Sequence, residues 1–377
     1  MLYCQSLLLL LSLGGIAYAL LCLYGAYGFP RSVTVSGFTP PVTVLKPVHG
    51  VDEEAYENFS SFCRQDYPTY QIVFGVLDPN DPVIPVIKRL IHNFSSHRIQ
   101  LVVNPHRCGT NLKVSNLQNM LPEAAHEWLV ITDSDMRVTP DYLRRVVPLL
   151  QDDKVGLVTC PYRGTRPRSL AAVLEALHMS CDFMPSVLVA RRLQAMRFAF
   201  GSTLALHRSI LQAIGGFEGI ADYVADDCEL GYRVAQAGYA VCLAPYVVHS
   251  VLGDIRFIEM FKRRLRWART NRVCEPKGWA GVFLTYGTAL ALLLLLASSF
   301  SRLGWVVFGM TLAMRLLTAF LIAGCYLGDE NLPLFFWMLP INDVLGLLIW
   351  ALSWLGSNIT WRGTILRVRR GGKMVQI

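Results

Sequence analysis

Apolar residues are spaced along this chain in three rhythms. Between residues 6 and 29, from Ser6 through the Leu7–Leu11 run to Phe29, no charged side chain occurs. An apolar helix of that length spans about 30 Å of hydrocarbon. Met1–Gln5 holds no basic residue and no Ala-x-Ala pattern follows, so residues 1–30 read as a retained anchor and not as a cleaved signal. Long apolar stretches return at the other end, at Trp279–Phe300, Trp305–Tyr326 and Leu334–Leu355. The first is free of charge, the second carries Arg315, and the third carries Pro340 and Asp343. Ionisable groups at such depth usually face protein or a cavity and not lipid.

Between these ends the rhythm is short. Val42–Leu45, Tyr70–Leu77, Ile99–Val103, residues 128–132 and Val155–Pro161 read as buried strands. Helical patterns lie between them at Glu53–Arg64, Pro85–Phe94, Lys113–Ala124 and Pro140–Leu150. Asp78-Pro79-Asn80-Asp81-Pro82 is a strong turn signal after the second strand. Alternation of this kind predicts an α/β domain with a parallel, doubly wound sheet within residues 38–276.

Composition adds limits. A hydrophobic share of 53%, a charged share of 16% and a mean hydropathy of +0.38 fit a membrane-seated enzyme better than a soluble one. The ten cysteines are scattered without a C-x-x-C pair, which favours free thiols over a disulfide framework or a zinc site. The net charge of +8 is concentrated at Arg263–Arg272 and Arg362–Arg370, beside apolar segments. No basic stripe interleaved with aromatics occurs in the middle domain, so nucleic acid is not an expected partner.

The candidate chemistry sits at strand ends. Asp133-Ser134-Asp135 follows Trp128–Thr132, and carboxylates one residue apart on an extended backbone point the same way. They can share one hard divalent cation. Ligands of open α/β sheets gather at the carboxyl ends of strands, so a metal there could hold a diphosphate. Asp78, behind Val76-Leu77, could accept from a base N–H or a ribose hydroxyl. Lys113 and Asn116 follow Gly109 in a loop that enters a helix and could approach phosphate. Asp227 opens a helix that runs to Ala237; it is either a cap or a general base. Arg263, Arg266 and Trp267 share one helical face just before the membrane cluster.

In order, Asp78, Asp133-Ser134-Asp135, Asp227 and Arg263-x-x-Arg266-Trp267 resemble the D, D-x-D, D, (Q/R)-x-x-R-W pattern of inverting GT-A glycosyltransferases. The segments Val44–Asp52, Asp66-Tyr67-Pro68, Asp78–Pro82 and Ile359–Arg362 are similar to the ceramide glucosyltransferase family, glycosyltransferase family 21. Gly201-Ser202-Thr203, Ala225-Asp226-Asp227 and Leu265–Thr270 look like its bacterial, hopanoid-associated branch. The resemblance implies a GT-A (Rossmann-like) domain at 38–256, an interfacial helix at 257–276, a membrane cluster at 277–356 and a basic tail at 357–377. It implies a UDP-sugar donor held by Asp78 with Lys46, Lys113, Asn116 and Asp133. It implies Mg²⁺ or Mn²⁺ on Asp133 and Asp135, and Asp227 as the base toward a lipid hydroxyl. Arg263, Arg266 and Trp267 would steady the leaving diphosphate and border the acceptor. The alternatives are a processive polysaccharide synthase, which needs more spans for a channel, and a non-catalytic nucleotide-sugar binder.

Topology follows from charge. Arg31 and Lys46 behind the anchor, and the basic tail Trp361–Lys373, both place their segments on the cytoplasmic face, here that of a bacterial inner membrane. That demands an even number of crossings from the three C-terminal stretches. Leu334–Leu355, with Pro340 and Asp343, is the one expected to be re-entrant or interfacial. The sequons at Asn58, Asn93 and Asn358 are then chance matches.

Overall fold

The computed structural model describes residues 2–30, 37–361, 364–369 and 371–376. Arg31, Arg362 and Arg370, used in the charge argument, lie outside the described residues.

The strands are β1 (Val42–Pro47), β2 (Tyr70–Val76), β3 (Arg98–Val103), β4 (Trp128–Ile131), β5 (Met136–Arg137), β6 (Val155–Thr159), β7 (Tyr162–Pro167), β8 (Leu204–His207), β9 (Ala240–Leu243), β10 (Val248–Gly253), β11 (Asn358–Trp361), β12 (Thr364–Val368) and β13 (Met374–Gln376). Seven of them form the central sheet, in the order β3-β2-β1-β4-β8-β6-β9. Neighbours among β1 to β4 run parallel, as does β6 with β9, whereas β8 is antiparallel to both β4 and β6. The expected all-parallel sheet is therefore a mixed one. Its cause is the helical excursion Leu170–Leu193, which returns the chain to the top of the sheet. As a result the start of β8 meets the ends of the parallel strands.

Buried aliphatics of β1, β2 and β4 alternate between the two faces. Val44, Ile72 and Val130 pack on one core cluster, and Leu45, Val73 and Ile131 on another. At the top edge the Asp81 carboxylate accepts from the backbone N–H of Gly50 (2.9 Å) and of Val83 (2.9 Å), which ties the loops after β1 and β2 together. A small sheet, β5-β10-β7, caps the end of β4.

Several elements differ from the pattern read in sequence. The clean apolar stretch is bent by 59° between Pro276–Thr285 and Gly287–Ala297. Pro340 is not a break; it occupies the first turn of helix Leu339–Ser353, where its missing N–H is harmless. The basic tail is an antiparallel sheet, β11-β12-β13. Leu170–Leu193 is a further helix long and apolar enough to cross a membrane, yet 78% of its apolar window is buried inside the protein. All ten cysteines are unbridged thiols. Asn58 is fully buried and accepts from Arg137 Nε (2.9 Å), a position closed to a glycan.

The long helices have a readable order. Gln5 Nε2 donates to Ala297 O (2.8 Å), so the start of Leu2–Ala26 lies beside the end of Gly287–Ala297. At its other end, Gly25 lies against the Leu188 backbone, where a Cβ would approach to 2.9 Å. Helix Arg302–Tyr326 returns to the α/β domain, where Arg163 donates to Leu327 O (3.1 Å) and Asn331 Nδ2 to Gly164 O (3.0 Å). Helix Leu332–Ser353 therefore begins beside that domain. It also ends there, since Arg269 donates to Leu355 O (3.1 Å). Leu334, Trp337, Ile341, Val344 and Leu348 form an exposed apolar stripe along it, while Asn342 and Asp343 point inward.

Where these helices cross, Arg315 donates to Asp343 Oδ1 (2.7 Å), to Cys181 O (2.6 Å) and to Asp182. Asp182 also receives Asn342 Nδ2 (2.8 Å) and faces His178 Nδ1 (2.9 Å). One arginine thus neutralises two buried acids. Removing it strands both, a change worth about 3–5 kcal/mol for a broken buried pair. Arg315→Met is expected to lower the apparent unfolding temperature in detergent sharply, whereas Arg302→Met, at an exposed position, should leave it nearly unchanged. Equal unfolding temperatures for the two variants would contradict this role.

Candidate active site

The top edge of the sheet collects acids. Asp133 stands two residues past the end of β4 and its N–H donates to Gly201 O (3.0 Å), in the segment that leads into β8. The N–H of the same Gly201 donates to Asp227 Oδ2 (2.8 Å). A single glycine therefore stands between the Asp-Ser-Asp turn and Asp227. A larger residue would displace both side chains: a Cβ there would lie 2.4 Å from Asp133 Oδ2 and 3.0 Å from Lys113 Nζ.

Two lysines balance these charges. Lys113 Nζ lies 2.7 Å from Asp133 Oδ1 and 3.2 Å from Asp226 Oδ2. Burial disfavours its cation, but Asp133, Asp226 and Asp227 outweigh that and hold its pKa above the usual lysine range. Its helix, Leu112–Met120, is capped by Asn111, which accepts from the Lys113 and Val114 N–H groups. Lys46 lies beneath the turn. It is fully buried, donates to Asp133 O (2.8 Å), and packs 3.9 Å from the Phe62 ring centroid. Burial lowers its pKa to about 7, against the pull of Asp135, Asp133 and Asp52.

The remaining acids differ in setting. Asp135 accepts from Ser250 Oγ (2.9 Å), and burial with the neighbouring Asp133 and Asp52 pushes its pKa up to about 6. Asp52 is held by Ser134 Oγ (2.8 Å). Asp227 lies in the first turn of helix Asp226–Gln236, and burial with Asp226 beside it raises its pKa to about 6, against the opposing charge of Lys113. Its Oδ1 accepts from Cys228 N–H (2.8 Å), so both oxygens are aimed.

The donor set is hard oxygen from Asp133 and Asp135, with Asp52 close enough to raise Asp135, and it suits Mg²⁺ or Mn²⁺. No cluster of three metal-ligating side chains stands ready among the described residues. A cation here would complete its shell with ligand oxygens and water, the habit of Mg²⁺.

The other residues singled out in sequence fall in three places. Asp78 is exposed at the end of β2 and accepts from Asn80 N–H (2.8 Å), leaving its carboxylate at the open rim. Asn116 is buried below that rim, donating to Gly75 O (2.7 Å), so it braces β2 and does not line the opening. Arg263, Arg266 and Trp267 lie on helix Phe257–Cys274. Arg263 is 3.6 Å from Glu175 and close enough to Asp135 to favour its anion. Trp267 stacks on His178, with centroids 6.5 Å apart. Between them, Arg264 turns inward to Asn342 (2.9 Å). Arg263 and Trp267 thus contact the helix Leu170–Leu193, and all three side chains of the patch are half-buried.

Sequence reasoning gave no site role to Gly201, Asp226, Asp52, Glu175 or Tyr162, although the first three stand in segments that carry the family resemblance. Glu175 carried a signal, a lone acid in the apolar run Ala171–Leu177. Tyr162 packs on Phe183 (5.5 Å between centroids), with its hydroxyl in the field of Asp227, Glu175, Asp133 and Asp135. Nothing in its local sequence announces that.

The steric argument at Gly201 can be checked directly. Gly201→Ala should weaken Mn²⁺ binding, titrated by electron paramagnetic resonance, by tenfold or more on the order of one lost charged contact. Ser202→Ala should leave it within about twofold, since Ser202 Oγ donates away from the acids, to Cys160 O. Unchanged Mn²⁺ affinity in Gly201→Ala would refute the placement of the cation.

Comparison with known proteins bears on the family and the fold. The model of Glycosyl transferase family 21 matches residues 7–374. Ceramide glucosyltransferase 1 of Caenorhabditis elegans is 23% identical over 255 residues, covering 67% of this chain and 54% of that protein. The ceramide glucosyltransferase of Candida albicans is 34% identical over 119 residues, 28% of this chain and 22% of that protein. The chain spans about half the length of the first of these. A solved mannosyltransferase from Pyrobaculum calidifontis, in complex with GDP-Man and Mn²⁺, superposes with a TM-score of 0.59 at 18% identity, covering 93% of this chain and 97% of its own. The expected GT-A fold is thereby borne out. With a family match over nearly its whole length, this chain belongs to glycosyl transferase family 21.

Proposed function

We propose that this protein is an inverting glycosyltransferase that moves a hexose from a UDP-sugar to the hydroxyl of a lipid acceptor of the ceramide or hopanoid type. The observation that carries the reading is the Gly201 bridge, which sets Asp227 one peptide away from the Asp133–Asp135 turn. Inverting transfer is one in-line displacement and needs a base facing a held leaving group. Asp227, with its pKa near 6, is ionised at neutral pH yet basic enough to take a hydroxyl proton. Asp78 at the rim suits the nucleotide. Asp133 and Asp135 would hold Mg²⁺ or Mn²⁺, which when bound screens the diphosphate charge. Arg263 and Arg266 add fixed positive charge on the same side, and Trp267 borders the acceptor. The relatives' names favour glucose as the sugar and ceramide as the acceptor.

Membrane placement follows from the helix order. Leu2–Ala26, the bent pair Pro276–Ala297 and Arg302–Tyr326 cross, and Leu332–Ser353 lies along the interface with its apolar stripe in lipid. This reading puts both the catalytic domain and β11–β13 on the cytoplasmic face, where UDP-sugars are found. An even count of C-terminal crossings results.

One assay tests the reaction and its sidedness. In sealed inverted vesicles, added UDP-sugar should be transferred to lipid, and excess EDTA should stop it; right-side-out vesicles should be inactive. Asp227→Asn should lose about 10²–10⁴ in turnover with UDP affinity kept. Turnover should fall about tenfold per pH unit below pH 6 as Asp227 is protonated. Full activity of Asp227→Asn, or activity in EDTA, would contradict the proposal.

A further inference from the structure

An in-line displacement requires its base and its leaving-group charges to be fixed relative to each other. Here they sit on separate helices: Asp227 on Asp226–Gln236, the arginines on Phe257–Cys274. The small C-terminal sheet touches both. On one side, Arg269 donates to Asn358 O (2.6 Å), at the start of β11, and to Leu355 O (3.1 Å), while Arg272 donates to Gly356 O (2.8 Å), both in the turn that leads into β11. On the other, Met374 N–H donates to Asp222 O (2.7 Å) and Val224 N–H to Gly372 O (3.0 Å). Val224 is itself buried in the core of that sheet, with Ile359, Leu366, Val368 and Met374.

The segment held this way is irregular backbone that leads directly into Asp226 and Asp227. Its opposite edge is gripped by the loop before Lys113. Thr110 N–H and Oγ1 reach Asp222 Oδ1 (2.9 and 3.0 Å), and Asn111 N–H reaches Ala221 O (2.8 Å). Asn111 Nδ2 reaches Tyr223 O (2.8 Å) and Asp226 Oδ1 (3.3 Å). The loop has no ladder of its own, so its place depends on these two clamps.

We propose that β11–β13 are a positioning bracket for the transfer reaction: they fix the Ala221–Val224 loop, and with it Asp227, against the arginine-bearing helix. The residues of the bracket act through Asp227 and the arginines, without touching substrate. This inference rests on the glycosyl-transfer reading above. A displacement of reacting groups by about 1 Å costs on the order of 10²-fold in rate, so a loosened bracket should appear in kcat and not in nucleotide affinity.

The test uses the full chain in detergent micelles. Arg269→Gln with Arg272→Gln releases the helix side, and Met374→Pro removes the N–H that holds Asp222. Each is expected to lower kcat about 10- to 100-fold. UDP affinity in the presence of Mn²⁺, by calorimetry, should stay within about threefold, and Arg269→Lys with Arg272→Lys, which keeps the charge but loses the two-pronged reach of Arg269, should not restore kcat. If either change unfolds the protein, the single Arg272→Gln, which leaves the sheet core intact, decides in the same way. Folded variants with wild-type kcat would overturn the bracket, as would kcat and UDP affinity falling together. A wild-type protein that transfers no sugar to any lipid would instead overturn the reaction itself.

Discussion

The structure is organised around like charges forced together. Asp52, Asp133, Asp135, Asp226 and Asp227 gather at one sheet edge, where like charges this close repel one another. The fold supplies cations to hold them: Lys113 between Asp133 and Asp226, and Lys46 beneath the Asp133 carbonyl. Gly201 completes the arrangement by bridging Asp133 and Asp227 with its backbone alone. Burial first and the neighbouring acids second raise Asp135 and Asp227, and the excess of carboxylates over lysines suits the site to a divalent cation.

A second buried charge set lies toward the membrane side. Arg315 joins Asp182 and Asp343, and Arg264 reaches Asn342 in the same cluster. The helix Leu170–Leu193 links the two sets. It carries Glu175 toward Arg263 and Asp182 toward Arg315. A small cavity of about 30 Å³, lined by Tyr18, Thr288, Thr311 and Arg315 among others, lies beside the second set and has room for about two waters. The catalytic domain is thus joined to its membrane helices by ion pairs as well as by apolar packing.

Much of the site was legible because its residues stand at strand and helix ends, where periodicity breaks. Asp78, Asp133, Asp135 and Asp227 were read in that way. Lys46 and Asn116 were read as donor contacts but lie beneath the rim, since local sequence does not say which side of a turn a side chain takes. Tyr162 and Gly201 matter through contacts with residues far away in the chain. Leu170–Leu193 escaped notice because Glu175, His178, Asp182, Arg191 and Arg192 interrupt its apolar run. The tail was read as a basic flank. Its arginines mask an alternation in which Leu366 and Val368 face inward while Arg367 and Arg369 face out. The antiparallel β8 followed from a long excursion that no pattern of short elements foretold.

The central claim is a single displacement with Asp227 opposite the leaving diphosphate. It is tested most directly by the anomeric configuration of the glycolipid product, read from the proton coupling constant by nuclear magnetic resonance. Starting from an α-linked UDP-sugar, the account predicts a β-glycoside only. An α-glycoside would contradict it, because attack from the face opposite the leaving diphosphate inverts the anomeric carbon.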